Sequence, residues 1–129
     1  MTGPGHLQPI APQECRQLLA ERVVARVAWQ SSQGLLILPL NYRFDGDALW
    51  FRVDRGSVLA ELADGRDVAV EIEDVDETMS NGWTVLVQGR AGVPTEAPDR
   101  APQPWAPGER ELLIVVEIHS MSGRSVSAA

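Results

Sequence analysis

The sequence contains no lysine; all eleven of its basic residues are arginine. A Schiff base to a lysine amine is therefore excluded, and pyridoxal-phosphate catalysis with it. Any anion this chain holds must be held by guanidinium groups or backbone N–H groups. Cysteine is almost as scarce. The single Cys15 rules out an internal disulfide and a cysteine metal cluster, and fits a reducing cytoplasm. Only two histidines are present, His6 and His119, and His6 lies near the N-terminus, so no paired histidine metal site is expected. No apolar run approaches the roughly 18 residues of a membrane span. No basic segment followed by an apolar one opens the chain, so no secretory leader is expected. The chain also has little positive charge. Eighteen acidic against eleven basic residues leave a net charge of −7. That field repels nucleic acid and anionic membranes, so neither is expected as a partner.

What remains is ordinary globular composition, with 44% hydrophobic and 22% charged residues over 129 positions, the size of one domain. Residues 1–10, with Gly3, Pro4, Gly5 and Pro9, read as a flexible tail, and 11–129 as the domain. A helix is expected from Pro12 to Arg22, with Pro12 at its first position and an apolar stripe of Cys15, Leu18 and Leu19. Strands follow over 23–29, 35–44, 48–53, 67–76, 82–93 and 111–119, with Asp45-Gly46-Asp47 as a hairpin turn. Ser57 is placed to cap a second short helix ending near Ala63. Five prolines make 94–110 a loop. The last strand is apolar on both faces, which suggests burial inside a barrel or under a partner subunit. Six antiparallel strands at even spacing point to a closed barrel without exposed edges.

The acidic residues Glu71, Glu73, Asp74, Asp76 and Glu77 lack the glycine and spacing of a calcium loop and read as a solvated face. Cys15 on an apolar stripe reads as a buried, inert thiol. His119 at a strand end reads as structural, although a haem, if bound, would need it as its axial ligand. The segment from Phe51 to Ser57 runs from a strand end through a glycine turn to a helix start. It suits an ordinary capped helix, or an anion site in which Arg52 or Arg55 completes a phosphate clamp. Trp83 and Trp105 suit core or interface packing, or stacking on a flat ring.

Taken in order, several segments resemble one family. They are Glu14-Cys15 with Leu18-Leu19, Ala25-Arg26-Val27-Ala28, Leu38-Pro39-Leu40-Asn41-Tyr42, Trp50-Phe51-Arg52 and Gly56-Ser57. They continue with Gly82-Trp83-Thr84-Val85-Leu86-Val87, Gly89-Arg90-Ala91, Pro104-Trp105-Ala106-Pro107-Gly108 and Ser122-Gly123-Arg124. The pattern is similar to the small FMN-binding split-barrel proteins related to pyridoxamine 5′-phosphate oxidase, from Glu14 to Arg124. The resemblance implies a mainly β, six-stranded antiparallel split barrel with two short helices. It implies a homodimer with two FMN sites at the subunit interface, and flavin-dependent oxidoreductase activity on an unknown substrate. Asn41 and Tyr42 would lie along the flavin ring. The Arg52 to Ser57 segment, with Val53 and Arg55, would bind the phosphate. Trp83, Trp105 and Arg124 would line the cofactor or substrate side, some from the partner chain. Two positions depart from the pattern: Val53 stands where threonine is usual, and Val58 where lysine is usual. Their loss of polar contacts leaves a second implication, a non-catalytic dimeric barrel that has lost tight FMN binding or holds a deazaflavin or haem.

Overall fold

The computed structural model of the chain describes residues 6–95 and 112–127. The elements are β1 (His6–Pro9), α1 (Pro12–Glu21), β2 (Val24–Ser31), β3 (Gly34–Asn41), β4 (Arg43–Phe44), β5 (Ala48–Val53), a 3-10 helix (Val58–Asp64), β6 (Arg66–Asp76), β7 (Asn81–Gly92) and β8 (Leu112–Ser127). The strands run in the order β3-β2-β6-β7-β8-β5-β4, with β1 attached to β8. Every pairing is antiparallel. The sheet curls until β3 returns against β5, which gives the split-barrel arrangement expected.

Alternation builds the core. Val68, Val70 and Ile72 of β6, Val85 and Val87 of β7, and Ile114 and Val116 of β8 all point inward and are buried. Leu49, Phe51 and Val53 of β5 meet them from the far side, and Leu62 of the 3-10 helix and Leu19 of α1 close the ends. Each such side chain stabilises the fold by about 1.5–3 kcal/mol relative to exposure.

The strand count differs from the expectation of six. β1 lies in the residues read as a tail. It forms because the end of β8 offers a second hydrogen-bonding edge, and His6–Pro9 pair there with Arg124–Ser127. β8 itself runs eight residues past His119. Ser120 to Ser127 carry few apolar side chains, so a hydrophobicity pattern gives no strand signal, yet the backbone pairs throughout with β7. The run 35–44 breaks at Tyr42, whose backbone N–H turns to the Val23 carbonyl at 3.0 Å while its hydroxyl reaches the Leu19 carbonyl at 2.5 Å. The second helix is a 3-10 helix, and Ser57 provides no side-chain cap to it.

Two close approaches require glycine. At Gly89 an added Cβ would lie 2.0 Å from the Glu117 carbonyl oxygen. There β8 presses onto β7, and the register slips so that His119 bulges out of the ladder. At Gly123 an added Cβ would lie 2.6 Å from the Cys15 sulfur, because α1 docks directly on β8. The Gly123→Ala variant should therefore lose about 1–3 kcal/mol by overpacking, read as a lower urea midpoint. Adding Cys15→Ala should return part of that loss; no recovery in the double variant would show that the strain lies elsewhere.

Candidate functional site

Several of the residues singled out from sequence lie beside one or the other end of β8. Arg52 lies opposite Leu113 near the start of β8, and Trp83 lies opposite Ser125 near its end. At about 3.3 Å per residue, these points are on the order of 40 Å apart along the strand.

At the first end, Val53 is buried in the core and Val58 packs against it. Both are apolar because they face apolar neighbours. The loop between them folds back onto Asp54. The Ser57 N–H donates to the Asp54 carbonyl at 3.0 Å, and the Ser57 hydroxyl to the same oxygen at 2.8 Å. The Gly56 N–H points to the Asp54 carboxylate at 3.4 Å. The Gly56 and Ser57 N–H groups are thus taken up within the turn rather than offered to an anion. Arg55 is exposed and is engaged with other groups. The side chain of the half-buried Arg52 makes no hydrogen bond or ion pair among the described residues. The Arg52 guanidinium is thus a positive charge available at this end.

At the second end, Trp83 stands on the inward face with Val85 and Val87, half-buried. Arg124 pairs with Thr84 and therefore lies on the outward face. The two share an end but not a face. The sequence reading missed Arg22. Its guanidinium carbon sits 5.7 Å from the centroid of the Trp83 ring, and it pairs with the Asp74 carboxylate. Asp74 lies directly opposite Trp83 in the β6–β7 ladder, so one carboxylate fixes the cation over the ring. Two clefts open beside Trp83. One, of about 440 Å³, lies among Gln8, Ile10, Glu14, Leu18, Trp83 and Ser125. The other, of about 420 Å³, lies among Val75, Asp76, Gly82, Trp83, Thr84 and Val126.

Asn41 and Tyr42 end β3. The Asn41 amide donates to the Val23 carbonyl at 3.4 Å. Tyr42 is buried, and burial holds its phenol above the ordinary value against the opposing charge of Arg22. Its hydroxyl stays protonated and anchors the end of α1. Trp105 lies outside the described residues. Cys15 is buried, and burial, then the Glu14 charge, pushes its thiol up. That is the environment of an inert cysteine. The acidic face is compensated by arginines, with Arg26 between Glu71 and Glu73. His119 stands half-exposed on its bulge, 3.8 Å from the Glu117 carboxylate.

With this geometry in hand, comparison with known proteins gives one clear result. Residues 11–125 match the family described as pyridoxamine 5′-phosphate oxidase. The chain belongs to that family. A search of curated proteins found no match. Several solved structures share the fold. The FAD binding protein from Mycobacterium smegmatis is 22% identical with a TM-score of 0.72, over 93% of this chain and 98% of that one. A FAD-binding protein from Mesorhizobium loti is 20% identical with a TM-score of 0.73, over 96% and 99%. The FAD and haem binding protein from Mycobacterium smegmatis is 17% identical with a TM-score of 0.67, over 95% and 74%. At these identities the likeness is one of fold.

In this member of the pyridoxamine 5′-phosphate oxidase family, the β4–β5 hairpin beside Arg52 is fixed by Asp45, a role the turn signal alone did not reveal. Its carboxylate accepts from the N–H groups of Asp47 and Ala48, each at 2.8 Å, and from the Trp50 indole N–H at 2.7 Å. Burial pushes this carboxyl up, but the three donors outweigh it and leave it below its ordinary value. A depressed folded value means that the contribution to stability is complete above the unfolded carboxyl range, near pH 4. It is lost as pH falls through the lower folded value. Asp45→Asn should therefore destabilise at pH 7 and flatten the acid limb of the stability curve below about pH 4, measured by thermal melts from pH 2 to 7. An unchanged acid limb would remove Asp45 from this role.

Proposed function

We propose that this chain is a flavin-binding protein with FMN as its flavin, working as a homodimer in a flavin-dependent oxidoreduction. The observation that carries the reading is the separation of Arg52 from Trp83 along β8. One chain supplies a cationic end and an aromatic end too far apart to meet on one flavin. A second copy running the other way joins the cationic end of one chain to the aromatic end of the other.

The surface supports such pairing. β3 is an edge strand of eight residues, with Leu35 at 79% and Ile37 at 67% exposure on its outer face. A long apolar edge of this kind is a template for association unless something covers it. Family membership and the FAD-binding relatives support a flavin as the ligand.

The residues fit a flavin phosphate in part. Arg52 offers bidentate donors, while the turn at Asp54 keeps its own N–H groups. A bound flavin supplies hydride transfer at its ring. The chain's own contribution is to hold the phosphate through Arg52, and to bring the Arg22-capped face of Trp83 beside the ring and keep water from it. Tyr42 takes no part in proton transfer here, because its hydroxyl is bound to the Leu19 carbonyl.

A second reading is a non-catalytic barrel that binds flavin weakly, or binds a deazaflavin or a haem. The packing of Val53 and Val58 against the core favours it, since neither position offers a polar contact. For a haem, His119 on its exposed bulge is the axial candidate.

Light scattering during size exclusion should give a dimer for the wild type. Ile37→Asp should give a monomer with an unchanged circular dichroism spectrum. The variant's FMN affinity should fall at least tenfold, roughly the 1.5–3 kcal/mol of one charge-assisted contact. A wild-type monomer that binds FMN at one site per chain would overturn the shared-site reading.

A further inference from the structure

We infer that Arg43 and Arg52 together form a two-guanidinium seat for a phosphorylated ligand on the outer face of β4 and β5, with Trp50 between them. The inference rests on the flavin reading for the identity of the ligand, but not for the seat itself.

The chain has acids enough to pair every arginine, 18 against 11. Most of the described arginines are indeed engaged. Arg16 donates to the Gly46 carbonyl and lies over the Phe44 ring. Arg22 and Arg26 pair with Asp74 and Glu73. Arg66 reaches the Gln30 carbonyl, and Arg90 holds Asp67 and the Gly65 carbonyl. The side chains of Arg43, Arg52 and Arg124 make no hydrogen bond or ion pair among the described residues. Arg124 stands alone at the far end of β8. Arg43 and Arg52 stand together.

Register places them. Arg43 is opposite Trp50 in the β4–β5 ladder, and opposite residues share a face. Arg52 is two residues beyond Trp50, on that same face. The two arginines are therefore diagonal neighbours, about 7–8 Å apart, within easy reach of one phosphate or of two linked ones. Trp50 is only 8% exposed, and its indole N–H is fixed by Asp45, so the floor between the arginines is rigid.

Among the described residues, the two carboxylates that register places nearest on this side of the sheet do not neutralise the pair. The Asp45 carboxylate is occupied by three N–H donors. Glu117 sits on the same face, opposite Ala48, but leans toward His119. Two like charges are thus held beside one another without a counter-ion from the described residues. A bound dianion relieves that repulsion and satisfies both forks. Arg43 then supplies from β4 the second positive charge that Val58 does not.

The test begins without flavin. Inorganic pyrophosphate, titrated into the full chain and followed by the arginine side-chain Nε–H resonances, should shift Arg43 and Arg52 together. Arg43→Gln should then bind FMN at least tenfold more weakly than wild type. Its affinity for riboflavin, which lacks the phosphate, should be unchanged. Arg66→Gln removes the same charge elsewhere and should leave FMN affinity alone. Pyrophosphate that shifts neither resonance overturns the inference, as does an Arg43→Gln variant that matches Arg66→Gln. If pyrophosphate binds at the pair and no flavin binds at all, the seat stands and the flavin reading falls.

Discussion

β8 is hydrogen-bonded to β7 over most of its sixteen residues, to β5 at its start and to β1 at its end. The rest of the molecule hangs from that strand. Its inward residues Ile114 and Val116 sit at the centre of the core. Gly123 gives α1 its seat, and the slip opposite Gly89 turns His119 outward. Because the strand is sixteen residues long, it also holds Arg52 and Trp83 beside opposite ends of it. The same backbone ladder that stabilises the barrel thus sets Arg52 and Trp83 at opposite ends of β8, which is the basis of the shared-site proposal.

A second constraint is the arginine-only economy of charge. Long, permanently charged side chains with planar forks suit carbonyls, carboxylates and ring faces equally well. Here they serve as struts: Arg16 ties α1 to the β4–β5 turn, Arg22 ties the end of α1 to β6 and Trp83, and Arg26 spans the acidic face. The arginines left over on the β4–β5 face stand out against that background. The acidic run 71–76 takes part in the same scheme and needs no ligand to explain it.

Much of the fold was legible. β6 and β7 announce themselves by alternation, β5 by the Asp45-Gly46-Asp47 turn before it, and α1 by Pro12 and its apolar stripe. The parts that were not legible have a common cause: they depend on backbone pairing rather than side-chain pattern. Ser120–Ser127 and His6–Pro9 are polar or irregular in sequence, and become strands because each completes the other's hydrogen bonds. Tyr42 breaks its strand because of a carbonyl on a helix twenty-three residues earlier. At the candidate site, sequence singled out Arg52 and Trp83 as residue types. It gave no sign that Ser57 turns back onto Asp54, that Arg22 covers Trp83, or that Arg43 shares a face with Arg52. Those facts follow from register and from contacts distant in the chain.

The central claim is that one flavin is held by the cationic end of one chain and the aromatic end of another. Subunit complementation tests it most directly. Arg52→Ala and Trp83→Ala would each be purified, then mixed, unfolded together and refolded to allow exchange, with bound FMN read by flavin absorbance. The account predicts that each variant alone binds FMN poorly and that the mixture regains wild-type affinity in a fraction of its sites, because one of the two sites in a mixed dimer has both defects and the other has neither. A mixture no better than the two variants apart would mean that no site draws Arg52 from one chain and Trp83 from the other, and would contradict the account.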